Sequence, residues 1–81
     1  MKVMVKYFAS LREATGVKEE EIELPDGGTI ETLIRVAKEL HSMLRVQNRA
    51  IIVSVNGEFV EANRRLNATD EAAIFPPVSG G

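Results

Sequence analysis

Residues 2–8, near the start of the chain, divide into two alternating sets, one of which is apolar throughout while the other contains both lysines of the segment. One set of alternating positions is Val3, Val5 and Tyr7, and the other is Lys2, Met4, Lys6 and Phe8. A period of two is typical of a β-strand, because successive side chains of a strand point to opposite faces of the sheet. The pattern therefore predicts a strand whose Val3, Val5 and Tyr7 side chains face the core.

A helical period follows in the middle of the chain, where apolar residues recur every three or four positions. The stripe consists of Ile30, Leu33, Ile34, Ala37, Leu40 and Leu44. Thr29 is expected to cap this main helix, and Pro25-Asp26-Gly27-Gly28 forms the turn before it. A shorter helical turn, capped by Ser10 and ended by Gly16, is predicted after the first strand.

Short apolar runs predict further strands at residues 18–24, 51–55 and 71–75. Asn56-Gly57 favours a type I′ hairpin turn, since both central residues of that turn need positive φ. The strand after this turn then carries Phe59 on the same face as Ser54. The order β-β-α-β-β-β predicts a compact α+β domain, with a mixed sheet packed on one main helix.

The last residues of the chain combine a stop to sheet pairing with two glycines. The closing strand ends at Pro76-Pro77, which cannot donate to a sheet ladder, and Val78, Ser79, Gly80 and Gly81 follow. Glycine adopts conformations closed to other residues, so such a tail can enter a narrow channel and present a terminal carboxylate. An inert tail stays open as an alternative, because chain ends are commonly rich in Gly, Ser and Pro. We expect a domain over 1–75 and a flexible tail over 76–81.

Composition narrows the classes of function. The 81 residues suffice for one small domain, and a net charge of −2 argues against nucleic-acid binding. The absence of cysteine excludes disulfides, thiolate metal sites and a catalytic thiol. No apolar run approaches the ~20 residues that span a bilayer, and charges interrupt the N-terminal segment too early for a signal peptide. We therefore expect a cytoplasmic protein that does not associate with membranes.

Catalytic constellations of the usual kinds are missing from the sequence. His41 is the only histidine, and we expect it to be a surface or packing residue. We interpret Glu19-Glu20-Glu21 with Glu23 as a solvated strand edge, because adjacent strand residues point to opposite faces. Gly27-Gly28-Thr29 lacks the residues of a phosphate-binding loop. We expect no metal site and no cofactor bound by this chain.

The three phenylalanines of the chain, Phe8, Phe59 and Phe75, are predicted on the face of the sheet that points away from the core. An exposed apolar surface of this kind usually marks a protein interface, and aromatic residues dominate the binding energy of interfaces. The alternative is that Phe8 and Phe75 fold back over the sheet edge and bury each other.

Three segments resemble a known family. They are Tyr7-Phe8-Ala9-Ser10-Leu11-Arg12-Glu13, Val55-Asn56 and Phe75-Pro76-Pro77-Val78-Ser79-Gly80-Gly81. Together they resemble the small subunit of molybdopterin synthase, a ubiquitin-like sulfur carrier with the β-grasp fold, over essentially the whole chain. One departure is Ala68-Thr69-Asp70-Glu71, where the family usually has Asp-Gly-Asp-Glu, so this turn lacks the easy access to positive φ that glycine gives.

The resemblance implies a mechanism centred on the carboxylate of Gly81. An ATP-dependent adenylating enzyme would activate that carboxylate, and a sulfur donor would convert it to a thiocarboxylate. The Gly80-Gly81 end would then donate sulfur to the pterin precursor in molybdenum cofactor biosynthesis. The partner would be the large synthase subunit, in a heterotetramer, and would supply the catalytic groups, leaving this chain a non-catalytic sulfur-donor subunit. Residues matching the partner-binding surface of the family are Phe8, Arg12, Phe59, Phe75, Pro76, Pro77, Val78 and Ser79.

Two other functions use the same fold and tail. A ubiquitin-like modifier would attach Gly81 to lysines of other proteins through an isopeptide bond. A sulfur carrier could instead serve another pathway such as thiamine synthesis, although the long Phe-Pro-Pro-Val-Ser approach to the terminus argues against that.

Overall fold

The computed structural model describes residues 1–46 and 51–77. In chain order its elements are β1 (Lys2–Tyr7), α1 (Ser10–Thr15), β2 (Glu19–Glu23), α2 (Ile30–Leu40), α3 (Ser42–Val46), β3 (Ile52–Val55), β4 (Glu58–Phe59) and β5 (Glu71–Phe75). None of the helices in these ranges combines the length and the apolar character needed to cross a membrane.

The five strands form one mixed sheet in the order β2-β1-β5-β3-β4. β1 and β5 are parallel neighbours at its centre, with Tyr7 opposite Ile74, and the other strand pairs are antiparallel. The Phe8 N–H donates to the Ile74 carbonyl at 3.1 Å, which extends the pairing past the end of β1. Because parallel strands end at the same edge of a sheet, the chain leaves β5 beside the start of α1.

The core lies between one face of the sheet and α2. Val3, Val5 and Tyr7 of β1 are fully buried there, which confirms the prediction from alternation. The remaining core residues are Leu11, Ile22, Leu24, Ile30, Leu33, Ala37, Leu44, Val53, Val55, Leu66, Ala72 and Ile74. The predicted α+β class, with a mixed sheet on one main helix, is confirmed.

The main helix begins where the sequence predicts and ends earlier. The Thr29 side chain accepts the Thr32 N–H, and the Thr32 side chain accepts the Thr29 N–H, which closes a capping box. At the other end His41 is extended, with φ −127° and ψ 97°, so Leu44 belongs to α3. Leu40 is 57% exposed, and its predicted place in the buried stripe is wrong. The apolar spacing continues across His41, so periodicity alone could not reveal this break.

The predicted start of α1 is wrong, whereas its predicted end and the predicted turn after β3 are confirmed. Ser10 does not cap α1, because it is the first helical residue and Ala9 occupies the N-cap position without a side-chain hydrogen bond. Gly16 ends α1 in the left-handed conformation, as predicted. Asn56 and Gly57 have φ of 51° and 87°, which confirms the positive φ expected at both positions of the hairpin turn.

The turn before β5 closes without a glycine at Thr69. The Asp70 N–H donates to the Asn67 carbonyl at 3.0 Å, and Thr69 does not adopt positive φ. The buried Asp70 carboxylate accepts the Asn67 N–H at 2.8 Å and the Asn56 Nδ2 at 2.9 Å. Side-chain hydrogen bonds therefore tie this loop to the hairpin turn, and β5 keeps its pairing with β1 despite the departure from the family pattern.

Candidate partner-binding surface

Three aromatic side chains lie together on the outer face of the sheet, where β5 ends. The rings of Phe8 and Phe75 stack, with centroids 4.6 Å apart and planes at 11°. The Phe59 ring is tilted against Phe75 at a centroid distance of 6.2 Å. We call these three residues the phenylalanine surface.

Strand register explains why these rings face outward. Ile74 pairs with Val53 and faces the core, so Phe75 faces the opposite side. Ser54 pairs with Phe59, which confirms that these two residues share a face. Phe8 and Phe75 are half-buried and cover each other's rings, as the alternative interpretation expects, yet Phe59 stays 75% exposed. A partly uncovered aromatic surface therefore remains on the folded domain.

An open apolar hollow of about 280 Å³ adjoins the phenylalanine surface. It is lined by Ala9, Ile52, Phe59, Phe75, Pro76 and Pro77. Pro76 and Pro77 are half-buried, so the first two residues of the predicted tail form part of this hollow. Val78, Ser79, Gly80 and Gly81 lie outside the described residues, and their role stays a prediction.

Arg12 and Phe8 line a second hollow, separate from the apolar one, where the surface is charged. This hollow of about 240 Å³ is lined by Lys6, Tyr7, Phe8, Arg12, Lys18 and Glu19. Arg12 is exposed, and the Lys6 Nζ pairs with the Glu71 Oε1 at 2.8 Å. The hydrogen bond and the charge of Glu71 raise the pKa of Lys6, although an exposed pair of this kind adds little to stability. An apolar centre beside a charged margin is the composition expected of a protein interface.

A polar cluster on the inner side of the sheet was not predicted. The Glu20 Oε2 accepts a hydrogen bond from the Tyr7 hydroxyl at 2.7 Å and also bonds the His41 Nε2. Burial, followed by the Glu20 carboxylate, raises the pKa of Tyr7. The interpretation of Glu20 as a solvated edge residue is therefore wrong, whereas His41 is a packing residue, as expected. The signal was present in the sequence, since Glu20 shares the alternation of the buried residues Ile22 and Leu24.

The described residues at the exit of β5 offer an apolar surface for binding. Within residues 1–46 and 51–77, no group of three or more His, Asp or Glu side chains is placed to hold a metal ion. The phenylalanine surface and the hollow beside it form an apolar platform at the exit of β5.

Comparison with known proteins identifies the relatives of this chain. Residues 5–81 match the model of the ThiS family. The molybdopterin synthase sulfur carrier subunit of Chlamydomonas reinhardtii is 37% identical over 83 residues, covering 100% of both chains. Among solved structures, the small archaeal modifier protein SAMP1 from Haloferax volcanii has a TM-score of 0.88 and 28% identity over 100% of both chains.

These similarities confirm the resemblance seen in the sequence and the ubiquitin-like β-grasp fold. A further structural neighbour is a solved complex, BexX/CysO from Amycolatopsis orientalis. It has a TM-score of 0.69 and 26% identity, covering 98% of this chain and 99% of that one. A chain of this fold is therefore found bound to a second protein.

Proposed function

Because the chain belongs to the ThiS family, we propose that it is the sulfur carrier subunit of a molybdopterin synthase. The observation that carries this proposal is the location of the phenylalanine surface, directly before the residues that lead to Gly81. A large synthase subunit that covers this surface would receive the tail in its own active site. The 37% identity to a sulfur carrier subunit over the full length of both chains supports the same assignment.

The working group of the proposed carrier is the carboxylate of Gly81. In the adenylating enzyme, a carboxylate oxygen attacks the α-phosphorus of ATP, pyrophosphate leaves, and an acyl-adenylate forms. This step gives the acyl carbon a good leaving group. Sulfur supplied by the donor at the sulfide level then attacks the acyl carbon and AMP leaves, which gives a thiocarboxylate. When this group delivers its sulfur to the pterin precursor, water replaces the sulfur on the acyl carbon and the carboxylate of Gly81 is regenerated. The catalytic groups for that last step belong to the large subunit.

The end of β5 supports the proposed start of the tail at Pro76. The stacked Phe8 and Phe75 rings and the hydrogen bond from the Phe8 N–H to the Ile74 carbonyl hold the end of β5 against the end of β1. Sheet pairing stops at Pro76, which has no N–H to donate. The six residues 76–81 span at most about 22 Å when fully extended. The reacting carbon of Gly81 would therefore lie within about that distance of the end of β5.

The test is the intact mass of the protein after incubation with the adenylating enzyme, ATP and a sulfur donor. We expect a gain equal to the exchange of one oxygen for sulfur, and no gain in a variant that lacks Gly81. Both proteins should show the same circular dichroism, since the change lies beyond the last strand. No gain in the wild-type chain, under conditions that load a known carrier, would contradict the proposal.

A second candidate function is protein modification, which the similarity to the small archaeal modifier protein favours. A lysine amine would then attack the acyl-adenylate and form an isopeptide bond to Gly81. The last Lys or Arg of the chain is Arg65, so trypsin would leave residues 66–81 on the modified lysine. Detecting that sixteen-residue remnant on cellular proteins would support this function. One carrier can serve both roles, because they share the activation step.

A further inference from the structure

Ala9, between β1 and α1, has a backbone conformation that strongly favours glycine. Its φ is 51° and its ψ is −131°. The Leu11 N–H donates to the Phe8 carbonyl at 3.1 Å, so residues 8–11 form a turn with Ala9 at the first central position. Type II′ turns have φ and ψ of about 60° and −120° at that position, and glycine dominates there. A Cβ makes this conformation unfavourable, so Ala9 is strained.

Elsewhere in the described residues, positive φ occurs only at residue types that tolerate it. Gly16, Gly27 and Gly57 occupy such positions without a side chain, and Asn56 is a residue type that tolerates them. Ala9 is the exception within residues 1–46 and 51–77. Its side chain is exposed, and no side-chain hydrogen bond forms at this helix cap. The packing of the described residues therefore gives no reason for alanine instead of glycine at this position.

Ala9 does line the apolar hollow beside the phenylalanine surface. All six lining residues are apolar, so an apolar side chain is the occupant that the hollow fits. The hollow shares Phe59 and Phe75 with the phenylalanine surface and is continuous with it. A protein that covers one would cover the other.

We infer that Ala9 is a partner contact, whose methyl group forms one wall of a hollow that receives an apolar side chain of the large subunit. Glycine would relieve the backbone strain but would leave that wall open. The chain thus keeps a strained residue where binding, and not folding, gains from a methyl group. This inference rests on the proposed function, which supplies the partner.

The variant Ala9→Gly tests the inference because it should move two measurements in opposite directions. We expect the midpoint of thermal unfolding to rise by a few degrees, since the strained conformation becomes accessible without a Cβ. We expect the Kd for the large subunit to rise about fivefold, as for the loss of one buried methyl group. Calorimetry on the purified subunits measures this change. A residue that only shaped the turn would not weaken binding while raising stability.

Two further variants keep the result interpretable. Ala68→Gly makes the same chemical change at an exposed alanine in the loop before β5, and it should leave the affinity unchanged. Ala9→Asn places a polar amide in the apolar wall, and asparagine is among the residue types found at the positive-φ positions of such turns, so this variant should fold stably and bind more weakly.

The outcomes separate this inference from the proposed function. Phe59→Asp should abolish binding if the phenylalanine surface is the docking site. If Phe59→Asp abolishes binding while Ala9→Gly binds like the wild-type chain, the inference is wrong and the proposed function stands. A lower unfolding midpoint for Ala9→Gly would also overturn the inference, because it would show that Ala9 carries no strain. If the wild-type chain does not bind the large subunit, the proposed function fails and the inference fails with it.

Discussion

Ile74 and Phe75 are neighbours on β5, and their side chains meet very different surroundings. Ile74 is fully buried in the core, whereas Phe75 lies on the outer face, where it is half-buried and stacks on Phe8. Both residues are large and apolar, so hydrophobicity does not distinguish them. The difference lies in what covers them, because the helix layer covers the inner face, whereas Phe75 is in contact with the rings of Phe8 and Phe59 on the outer face. The inner residue stabilises this chain, and the outer residue is available to stabilise a complex.

The rest of the outer face strengthens this contrast. Lys2 lies opposite Glu23, and Lys6 lies opposite Glu19, so oppositely charged pairs occupy both ends of the β1–β2 ladder. Such pairs are typical of a sheet face in contact with water. The aromatic cluster is therefore a local departure from a solvated face, and it occurs at the exit of β5.

The largest expected effect is on the free energy of unfolding, at the buried residue Ile74. Ile74→Ala should lower the free energy of unfolding by about 2–5 kcal/mol, because it leaves a cavity in the core. Urea denaturation followed by circular dichroism measures the change. The total free energy of unfolding of an 81-residue domain is only about 4–12 kcal/mol, so Ile74→Ala could unfold the protein. Ile74→Val, with an expected loss of about 0.5–1.5 kcal/mol, is therefore the safer variant. A folded Ile74→Val protein should bind the large subunit like the wild-type chain, and a loss of affinity would contradict the assignment of Ile74 to folding alone.

Substitution of Phe75, on the outer face, should instead reduce binding strongly and stability only slightly. Phe75→Ala should weaken binding to the large subunit at least tenfold, as expected for an aromatic residue at the centre of an interface. Its unfolding free energy should fall by only about 1–2 kcal/mol, mostly from the lost stack on Phe8. Met43→Ala is the matched control, since Met43 is 52% exposed on α3 in the helix layer. Wild-type affinity in Phe75→Ala would show that the phenylalanine surface is not the docking site.

Local rules explain what the sequence predicted correctly. The alternation in β1, the Asn56-Gly57 turn and the Thr29 cap each depend on a few consecutive residues, so they can be recognised without knowing the fold. The outward position of Phe59 followed from the hairpin turn by counting residues. For the same reason the phenylalanine surface could be assembled from sequence alone.

The features that sequence reasoning missed depend on distant contacts or on backbone geometry. The end of α2 at His41 is accompanied by a bond to Glu20, which is 21 residues away, and no local pattern shows that pair. Leu40 was placed in the core because a period of 3.6 continues through the break. Ala9 gives no signal in the sequence, since residue type alone does not reveal its positive φ.

A smaller effect is expected at Asp70, which supports the loops at the far ends of β3 and β5. The Asn67 N–H, and then Asn56 and Arg64, lower the pKa of the Asp70 carboxyl group. Its pKa in the folded state is then below the ordinary value of about 3.9. The stabilisation by the carboxylate is present above about pH 4 and is lost as the pH falls through the folded-state pKa.

Asp70→Asn should therefore cost about 1–3 kcal/mol of unfolding free energy at neutral pH and should flatten the fall in stability on the acid side. Chemical denaturation at several pH values checks both effects. Asp26→Asn, at an exposed turn position, is the matched control and should change stability by less than about 0.5 kcal/mol. An unchanged acid slope in Asp70→Asn would show that another carboxylate is responsible. Binding to the large subunit should be unaffected, because Asp70 does not line the hollow.

The smallest effect is expected at Tyr7, on the inner face of the strand that ends next to Phe8. Tyr7→Phe should lower the unfolding free energy by only about 1 kcal/mol, since one hydrogen bond is lost and Glu20 keeps its bond to His41. Partner affinity should stay at the wild-type value, because the ring is fully buried on the side opposite the phenylalanine surface. A weaker complex would break the separation between the two faces of the sheet.

Alkaline titration tests, without a mutation, whether the inner face around Tyr7 is closed to water. The chain has one tyrosine and no tryptophan, so the phenolate absorbance reports Tyr7 alone. Burial and Glu20 raise its pKa in the folded state, so its contribution to stability is complete below the ordinary value of about 10 and is lost as the pH rises further. We therefore expect the phenolate to appear only together with the loss of the circular dichroism signal. A phenolate that forms near pH 10 in a protein that is still folded would mean that the inner face is open to water, and the contrast between a closed inner face and an accessible outer face would fail.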